Sequence, residues 1–212
     1  MSTSSAGSVF QPCGTLLARP FEAKRDLRRR IRAERAERPQ AVRAWLADLF
    51  ARVMLENPEI ALARTVGLYA SMPTEPGTEP LRQALRATGA QVLLPVVLED
   101  LSLDWAEDTG VTVPARKMGG PEPVGPRLGP SAVATLDVII VPALAVDTLG
   151  HRLGQGAGCY DRALRELSPG VCVVAMVHDE ELHDAAVEPV PTEPHDHPVH
   201  VAVTPSRWMH LA

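Results

Sequence analysis

The chain has 212 residues, of which 45% are hydrophobic and 22% charged, and its formal net charge at pH 7 is −5. This length and composition predict one globular domain with a sizeable core, while the acidic balance disfavours broad nucleic-acid binding, which needs a basic surface. Apolar runs are too short for a membrane span, and no secretory signal begins the chain. Three cysteines without metal-ligand spacing fit a reducing compartment, so we expect a cytoplasmic protein without a membrane partner.

The first part of the chain predicts an extension followed by two helices. Residues 1–20 contain Ser, Gly and Pro without apolar periodicity, and we expect a flexible extension ahead of one domain at 21–212. A basic helix is expected over 21–38, where arginines more often form a solvated face than a binding site. Apolar spacing over 42–54 predicts a second helix, with Trp45 in the core rather than in a cofactor site.

Short apolar runs then alternate with helical segments. Val138–Val141 is the clearest buried strand, because all four residues are apolar and β-branched. Residues 107–130 are rich in Gly and Pro and predict a long loop of the kind that often forms a functional lid. The alternation predicts an α/β fold, a single-domain doubly wound, mainly parallel sheet flanked by helices. The other expected strands are 65–70, 91–97, 101–106, 171–177 and 199–203, with a helix over 79–87.

A glycine-rich loop, Arg152-Leu153-Gly154-Gln155-Gly156-Ala157-Gly158, follows strand Val138–Val141 and precedes a predicted helix over 160–167. Glycines let backbone N–H groups converge on an anion, and the helix N-terminus adds partial positive charge. The Rossmann pattern fails because Cys159 occupies its last position, and a Walker A loop is excluded because no Gly-Lys-Ser/Thr is present. A phosphate-binding loop is therefore preferred to a tight turn without a ligand.

Residues beside the loop, and short blocks elsewhere, add chemistry. Arg152 is a charged partner for phosphate, and Asp161 is a candidate Mg²⁺ ligand. Over about residues 24–205 these blocks together resemble the signature of the 5-formyltetrahydrofolate cyclo-ligase family, also called methenyltetrahydrofolate synthetases. The blocks outside the loop are Lys24-x-x-Leu27-Arg28 with Arg35, Tyr69-x-Ser71-x-x-x-Glu75-x-x-Thr78, Leu94-Pro95, Glu122-Pro123 and Pro191-x-x-x-x-Asp196-x-x-Val199.

The resemblance implies an ATP- and Mg²⁺-dependent conversion of 5-formyltetrahydrofolate to 5,10-methenyltetrahydrofolate. The formyl oxygen would be phosphorylated, N10 would attack the activated carbon, and phosphate would leave. Such phosphoryl transfer depends on positioning and charge stabilisation. We expect a monomer whose partners are these two substrates, without nucleic acid.

The resemblance also implies roles for individual residues. Catalysis is expected of Arg152, Tyr160 and Asp161, with Asp161 holding the Mg²⁺. Glu75 would accept hydrogen bonds from the amino-pyrimidine edge of the pterin, and Tyr160 would stack on its ring. The expected ATP-binding residues are Lys24 and Arg28, four apart on one helix face, with Arg152, Leu153, Gly154, Gln155, Gly156, Ala157, Gly158, Cys159 and Tyr160.

Four features depart from the family pattern. Cys159 replaces an aromatic residue, Ala157 stands where Gly or Lys is common, and Pro76-Gly77 replaces the usual residues after the loop glutamate. His200 occupies the place of an Asp that can be a second Mg²⁺ ligand; Mg²⁺ prefers oxygen ligands, and Asp196 is the alternative.

Other interpretations stay open. The departures at Cys159 and His200 motivate one alternative, in which the chain is a catalytically weak relative. Such a protein would bind nucleotide or folate as a regulator or interaction module. A nucleic-acid binder that uses the arginine-rich helix is the weakest, because RNA-reading aromatic motifs are absent from the sequence. Cys159 at a helix N-terminus could have a lowered thiol pKa. The histidines over 177–200 match no zinc spacing, and we expect them in surface loops.

Overall fold

The structure, a computed structural model, describes residues 20–115 and 120–212, which begin with three helices and then contain mostly strands with two further α-helices between them. The α-helices are α1 (Pro20–Glu37), α2 (Gln40–Glu56), α3 (Pro58–Ala61), α4 (Glu79–Ala87) and α5 (Cys159–Ala163). The strands are β1 (Thr65–Gly67), β2 (Gln91–Val97), β3 (Leu103–Glu107), β4 (Thr112–Pro114), β5 (Pro121–Pro123), β6 (Val138–Pro142), β7 (Ala145–Asp147), β8 (Arg152–Leu153), β9 (Cys172–Met176), β10 (Leu182–His183), β11 (Val201–Val203) and β12 (Trp208–His210). Short 3₁₀ turns span Pro130–Thr135, Leu164–Glu166 and Asp179–Glu181.

A seven-stranded sheet in the order β12-β11-β9-β6-β1-β2-β3 forms the centre of the molecule. The strands from β11 to β2 are parallel, and the edge strands β12 and β3 are antiparallel to their neighbours. Val66 of β1 aligns with both Val92 of β2 and Val138 of β6. The carboxyl ends of these three strands therefore meet at one edge of the sheet, where α/β proteins commonly bind ligands.

Each face of the sheet carries its own hydrophobic core. Val138 and Ile140 of β6 pack into the cluster that α2 and α4 complete, whereas Ile139 and Val141 pack into a second cluster with the 3₁₀ turns before β6 and after α5. A strand covered on both faces needs apolar residues at every position, which accounts for its unbroken apolar run. The predicted α/β class, a mainly parallel sheet flanked by helices, is confirmed.

Other expectations need correction. Residues 107–130 do not form one long loop, because β4 and β5 pair antiparallel with Val113 opposite Glu122. Residues 116–119 lie outside the described residues, as does the expected extension of 1–20 apart from Pro20, the first residue of α1. Among the described helices, none combines the length and apolarity that a bilayer span requires.

Trp45 was expected in the core, but 60% of its surface is exposed. The buried face of α2 includes Phe50 and Met54. Trp45 precedes Phe50 by five positions, which is a rotation of about 140° around a helix with 100° per residue. Its large apolar side chain fits the apolar spacing of the sequence but points away from the sheet.

Trp45→Ala is therefore expected to change the free energy of unfolding by no more than about 0.5 kcal/mol, as for most exposed positions. Phe50→Ala on the same helix is the matched control, and its fully buried ring predicts a loss of about 3–5 kcal/mol. Urea unfolding followed by circular dichroism measures both. Equal losses for the two variants would contradict the exposed placement of Trp45.

Candidate active site

A pocket opens at the carboxyl edge of β1, β2 and β6. Its walls include Glu75, Arg152 and the loop and helix start from Gly154 to Asp161. Arg28 of α1 contacts the loop at the Gly154 carbonyl, and Leu153 is fully buried. Lys24 of α1 contacts Glu193 and Asp196, which line a second cavity that also includes Arg152. The fold thus brings most of the predicted site residues together.

Two arginines of α1, Arg28 and Arg32, hold the glycine loop by hydrogen bonds to its backbone. Arg28 Nε donates a hydrogen bond of 2.9 Å to the Gly154 carbonyl. A Cβ at Gly156, whose φ is +104°, would come within 3.3 Å of the Arg28 guanidinium carbon, so this position needs glycine. No described backbone carbonyl accepts a hydrogen bond from the N–H groups of Gly154, Gly156 or Gly158. These donors, with the arginines, suit an anionic ligand.

Helix α1 is fixed over the loop by ion pairs near both ends. The Arg35 guanidinium makes two hydrogen bonds of 2.7 Å to the Glu181 carboxylate, and both side chains are almost fully buried. Toward the other end, Lys24 Nζ lies 2.8 Å from Glu193 and 2.5 Å from Asp196. The predicted phosphate ligand Lys24 is therefore bound to carboxylates in this structure, and these contacts must exchange before it binds phosphate.

Arg152 lies at the junction of the loop and α5. Its Nη2 donates to Asp161 Oδ1 at 2.5 Å, and its Nη1 donates to the Pro142 carbonyl at 3.3 Å. The buried Nε has no hydrogen-bond partner among the described residues. Because a buried N–H without a partner is unfavourable, this atom is well suited to bind a ligand.

Asp161 belongs to no group of three close potential metal ligands among the described residues. Its Oδ1 accepts from Arg152 and, at 3.5 Å, from the His197 backbone N–H. Within the described ranges, the one group of three close potential metal ligands is Glu193, His195 and Asp196. Two of these, Glu193 and Asp196, form ion pairs with Lys24. Asp196, the expected alternative second ligand, is thus already paired.

The loop that carries Glu75 is closed by its own polar residues. Thr78 Oγ1 donates to the Tyr69 carbonyl at 2.7 Å, and the Thr78 N–H donates to Ser71 Oγ at 3.2 Å. Inside this closed loop, Glu75 Oε2 accepts from the Met72 N–H at 3.0 Å. The carboxylate is only 8% exposed, so the loop presents it to the pocket rather than to bulk water.

Burial raises the pKa of the Glu75 carboxyl above its usual value. Hydrogen bonds from Met72 and Gln155 and the charge of Arg35 act in the opposite direction but do not cancel the effect of burial. A ligand with two parallel N–H donors would favour the ionised carboxylate at this position.

Tyr160 supplies a neutral hydroxyl to the pocket. Burial, with the nearby Glu75, raises its pKa well above the usual value, so it remains protonated at neutral pH. Its hydroxyl oxygen is buried and has no hydrogen-bond partner in the described part of the chain. Together with Arg152 Nε, it is the second orphaned polar atom in this pocket, which supports a ligand site.

Two residues of the pocket were not predicted as site residues. Tyr69 donates its hydroxyl proton to the Pro76 carbonyl at 3.0 Å and so supports the loop around Glu75. Glu122 of β5 adds a second carboxylate, 9% exposed, to the pocket wall. Both occur in the short blocks of the sequence, and the Gly- and Pro-rich lid segment was the signal for Glu122.

Comparison with known proteins identifies the family. A model of the 5-formyltetrahydrofolate cyclo-ligase family matches residues 20–205. The chain belongs to this family. The 5-formyltetrahydrofolate cyclo-ligase of Mycolicibacterium smegmatis is 40% identical over 190 residues, 87% of this chain and 95% of that protein. The 5-formyltetrahydrofolate cyclo-ligase of Escherichia coli K12 is 32% identical over 187 residues, which cover 85% of this chain and 97% of that protein. The NMR structure of Aquifex aeolicus 5,10-methenyltetrahydrofolate synthetase matches with a TM-score of 0.73 and 26% identity, covering 89% of this chain and 92% of that one.

His200, an unusual residue for the family, lies away from the pocket. Its N–H donates to the Val173 carbonyl at 2.8 Å, and its Nδ1 accepts from the Val173 N–H at 3.1 Å. This pairing places it beside the amino-terminal end of β9, whereas the pocket lies at the carboxyl ends of the strands. The suggestion that His200 weakens a metal site at Asp161 is therefore not supported by its position.

Cys159, another departure from the family pattern, is buried against the second core. Burial raises the pKa of its thiol, which is opposite to the lowered pKa that a nucleophile at a helix N-terminus would show. Its neighbour Ala157 also packs against this core. The burial of this thiol and the direction of its pKa shift do not support a nucleophilic role for Cys159.

Native protein is expected to resist alkylation at Cys159, because a buried thiol with a raised pKa holds little thiolate at neutral pH. Iodoacetamide labelling followed by peptide mass spectrometry measures the rate. The same protein unfolded in urea is the control and is expected to label much faster at this residue. Equal rates in the two states would contradict the buried thiol.

Proposed function

We propose that this chain is an ATP-dependent 5-formyltetrahydrofolate cyclo-ligase that forms 5,10-methenyltetrahydrofolate, ADP and phosphate. One observation carries the proposal: a single pocket joins a glycine loop flanked by arginines to a buried carboxylate and a tyrosine. The names of the relatives with 40% and 32% identity support the choice of substrate. A cytoplasmic monomer without nucleic-acid or membrane partners is part of the same proposal.

The nucleotide phosphates would bind at the glycine loop. The N–H groups of Gly154, Gly156 and Gly158 would donate to phosphate oxygens, and Arg28 would add charge. Burial lowers the pKa of Arg28, and the neighbouring Arg32 adds to this effect, so a bound anion would relieve an unfavourable electrostatic environment.

Arg152 would contact both substrates. It lines the main pocket and also a second cavity that includes His151 and His197. A nucleotide that extends into the second cavity and a folate in the first would therefore meet at this guanidinium. Such a location suits the transfer of a phosphoryl group from one to the other.

Asp161 fits a Mg²⁺ ion shared with the phosphates. Its hydrogen bonds from described residues go to Oδ1, which leaves Oδ2 for a metal. Mg²⁺ commonly binds through one or two carboxylates together with phosphate oxygens and water. Bound there, the ion would neutralise phosphate charge.

The pterin ring of the folate would bind at the part of the loop opposite the nucleotide phosphates. Glu75 would accept hydrogen bonds from the amino-pyrimidine edge of the pterin, and Tyr160 would stack on the ring and donate its hydroxyl proton. Because Cys159 is not aromatic and is turned into the core, Tyr160 would supply the ring contact at this turn.

The reaction follows from these positions. The formyl oxygen would attack the γ-phosphorus, forming a C–O–P linkage as the bond to ADP breaks. Arg152 and the loop N–H groups would stabilise the charge on the transferred group. N10 would then attack the formyl carbon and lose its proton, the ring would close, and phosphate would leave with the former formyl oxygen.

A direct assay tests this function. Purified protein with 5-formyltetrahydrofolate, ATP and Mg²⁺ is expected to produce the absorbance band of the methenyl product, and omission of ATP or Mg²⁺ should abolish the rise. Binding of both ligands without this band would instead favour the catalytically weak relative. The nucleic-acid alternative is disfavoured because Lys24, Arg28 and Arg35 of α1 bond within the protein.

A further inference from the structure

The side chain of Gln155, between two glycines of the loop, connects helix α1 to Glu75. Its Oε1 accepts hydrogen bonds from Arg32 Nε at 3.0 Å and from Arg32 Nη2 at 2.7 Å. The same Nη2 donates to the backbone carbonyl of Gln155 at 2.9 Å. At the other end of the amide, Gln155 Nε2 donates to Glu75 Oε1 at 3.4 Å.

The two partners leave only one orientation for this amide. A guanidinium offers donors and no acceptor, so Gln155 must turn its oxygen toward Arg32. Its NH₂ group then faces Glu75, whose ionised carboxylate only accepts. The flipped amide would set donor against donor at Arg32 and acceptor against acceptor at Glu75. Arg32 therefore fixes the direction in which Gln155 donates.

We propose that Gln155 is a positioning residue that couples the phosphate-binding loop to Glu75, so that a nucleotide on the loop strengthens binding of the folate. The inference rests on the proposed function and adds a side-chain role to a residue whose neighbours would bind phosphate through their backbone. A phosphate that orders the loop also orders the Gln155 amide. By linkage, the folate strengthens nucleotide binding by the same factor.

The expected size of the effect is modest. Arg32 is exposed, and the bond to Glu75 is long, so each contact contributes little energy on its own. Glu75 is also faced by Arg35 from α1, by Tyr69 after β1 and by Tyr160 from α5. Unlike these three residues, Gln155 belongs to the glycine loop itself.

The test compares Gln155→Met and Arg32→Met with Arg29→Met. Methionine matches the length of glutamine, keeps an apolar stem in place of each arginine, and removes the polar contacts. Arg29 is on the same helix, its side chain is 79% exposed, and its ion pair is a contact of 3.4 Å with Asp26. The dissociation constant of 5-formyltetrahydrofolate is measured with and without a non-hydrolysable ATP analogue, across a range of pH.

In the wild type, the analogue is expected to tighten folate binding. Gln155→Met and Arg32→Met are expected to weaken binding of the folate in the presence of the analogue by about threefold to tenfold and to bring the coupling factor close to one. The double variant should match the single variants, because both break one chain of contacts. Loss of the Gln155 hydrogen bond should also move the pH profile of folate binding to higher pH, since that bond favours ionised Glu75. A purely structural role would not produce this shift.

The proposal would be overturned if Arg32→Met and Gln155→Met kept the wild-type coupling factor and pH profile, as Arg29→Met is expected to do. In that case, normal turnover by the wild type would leave the cyclo-ligase assignment intact. A wild-type protein that neither binds 5-formyltetrahydrofolate nor forms the methenyl product would contradict the proposed function and the coupling with it.

Discussion

Arg152→Met is expected to lower kcat/KM for ATP-dependent methenyl formation by about 100- to 1,000-fold, the range for loss of one group that stabilises charge in a transition state. Arg152 is 6% exposed, and its guanidinium is pre-oriented by Asp161 and Pro142. Its remaining buried N–H would meet the transferred phosphoryl group. Steady-state kinetics with each substrate varied in turn measures the loss.

Two controls separate chemistry from folding. Arg165→Met removes an exposed arginine in the turn after α5, whose contact is a hydrogen bond of 3.4 Å to the His195 carbonyl, and is expected to retain wild-type kinetics. Arg152→Lys is expected to recover only part of the activity, because an ammonium cannot reproduce the planar set of donors. Wild-type kcat/KM in a folded Arg152→Met protein would remove this residue from the reaction.

Glu75→Gln is expected to raise the KM for 5-formyltetrahydrofolate by about 10- to 100-fold, the cost of losing hydrogen bonds to a charged group. The KM for ATP should change little, because the nucleotide would bind on the other part of the loop. Kinetics at neutral pH give both values. A larger rise in the KM for ATP would place Glu75 on the nucleotide side.

The same substitution is expected to stabilise the free protein at neutral pH. Because burial raises the pKa of Glu75, the stability contributed by this group is fully present below its unfolded pKa and is lost as the pH rises through the folded pKa. Glutamine does not ionise and escapes this loss. Urea unfolding should therefore show Glu75→Gln more stable than the wild type at pH 8, with the difference shrinking toward pH 4. A variant less stable than the wild type at both pH values would contradict the raised pKa.

The parts of the fold that the sequence predicted are those with a strong local signal. Val138–Val141 is apolar at every position because both faces of its strand are covered. The glycine loop was recognisable because its backbone requirements are local, as the φ of +104° at Gly156 shows. Both features depend on neighbouring residues, and local patterns record such requirements well.

The contacts that complete the site are between residues far apart in the chain. Lys24 pairs with Asp196, 172 positions away, and Gln155 reaches Glu75 across 80 positions. No local pattern encodes such pairs. Strands β7 and β8, of three and two residues, are likewise too short for apolar periodicity to reveal them.

The burial of charged groups was also beyond local reasoning. The sequence shows α1 as a basic helix with an expected solvated face, yet Lys24 and Arg35 are 4% and 2% exposed. Their partners, Glu193 with Asp196 and Glu181, come from the last third of the chain. Buried cations require paired carboxylates, so only the assembled fold reveals which residues of this helix face inward.

The pocket is expected to transfer a phosphoryl group to the formyl oxygen of 5-formyltetrahydrofolate. Substrate labelled with ¹⁸O in the formyl group tests it most directly, with the released phosphate analysed by mass spectrometry as the methenyl product forms. The expected result is one ¹⁸O atom in the phosphate for each methenyl group formed, because the C–O bond of the phosphorylated formyl group breaks when N10 closes the ring. Unlabelled phosphate, or methenyl formation that does not require ATP, would contradict the account.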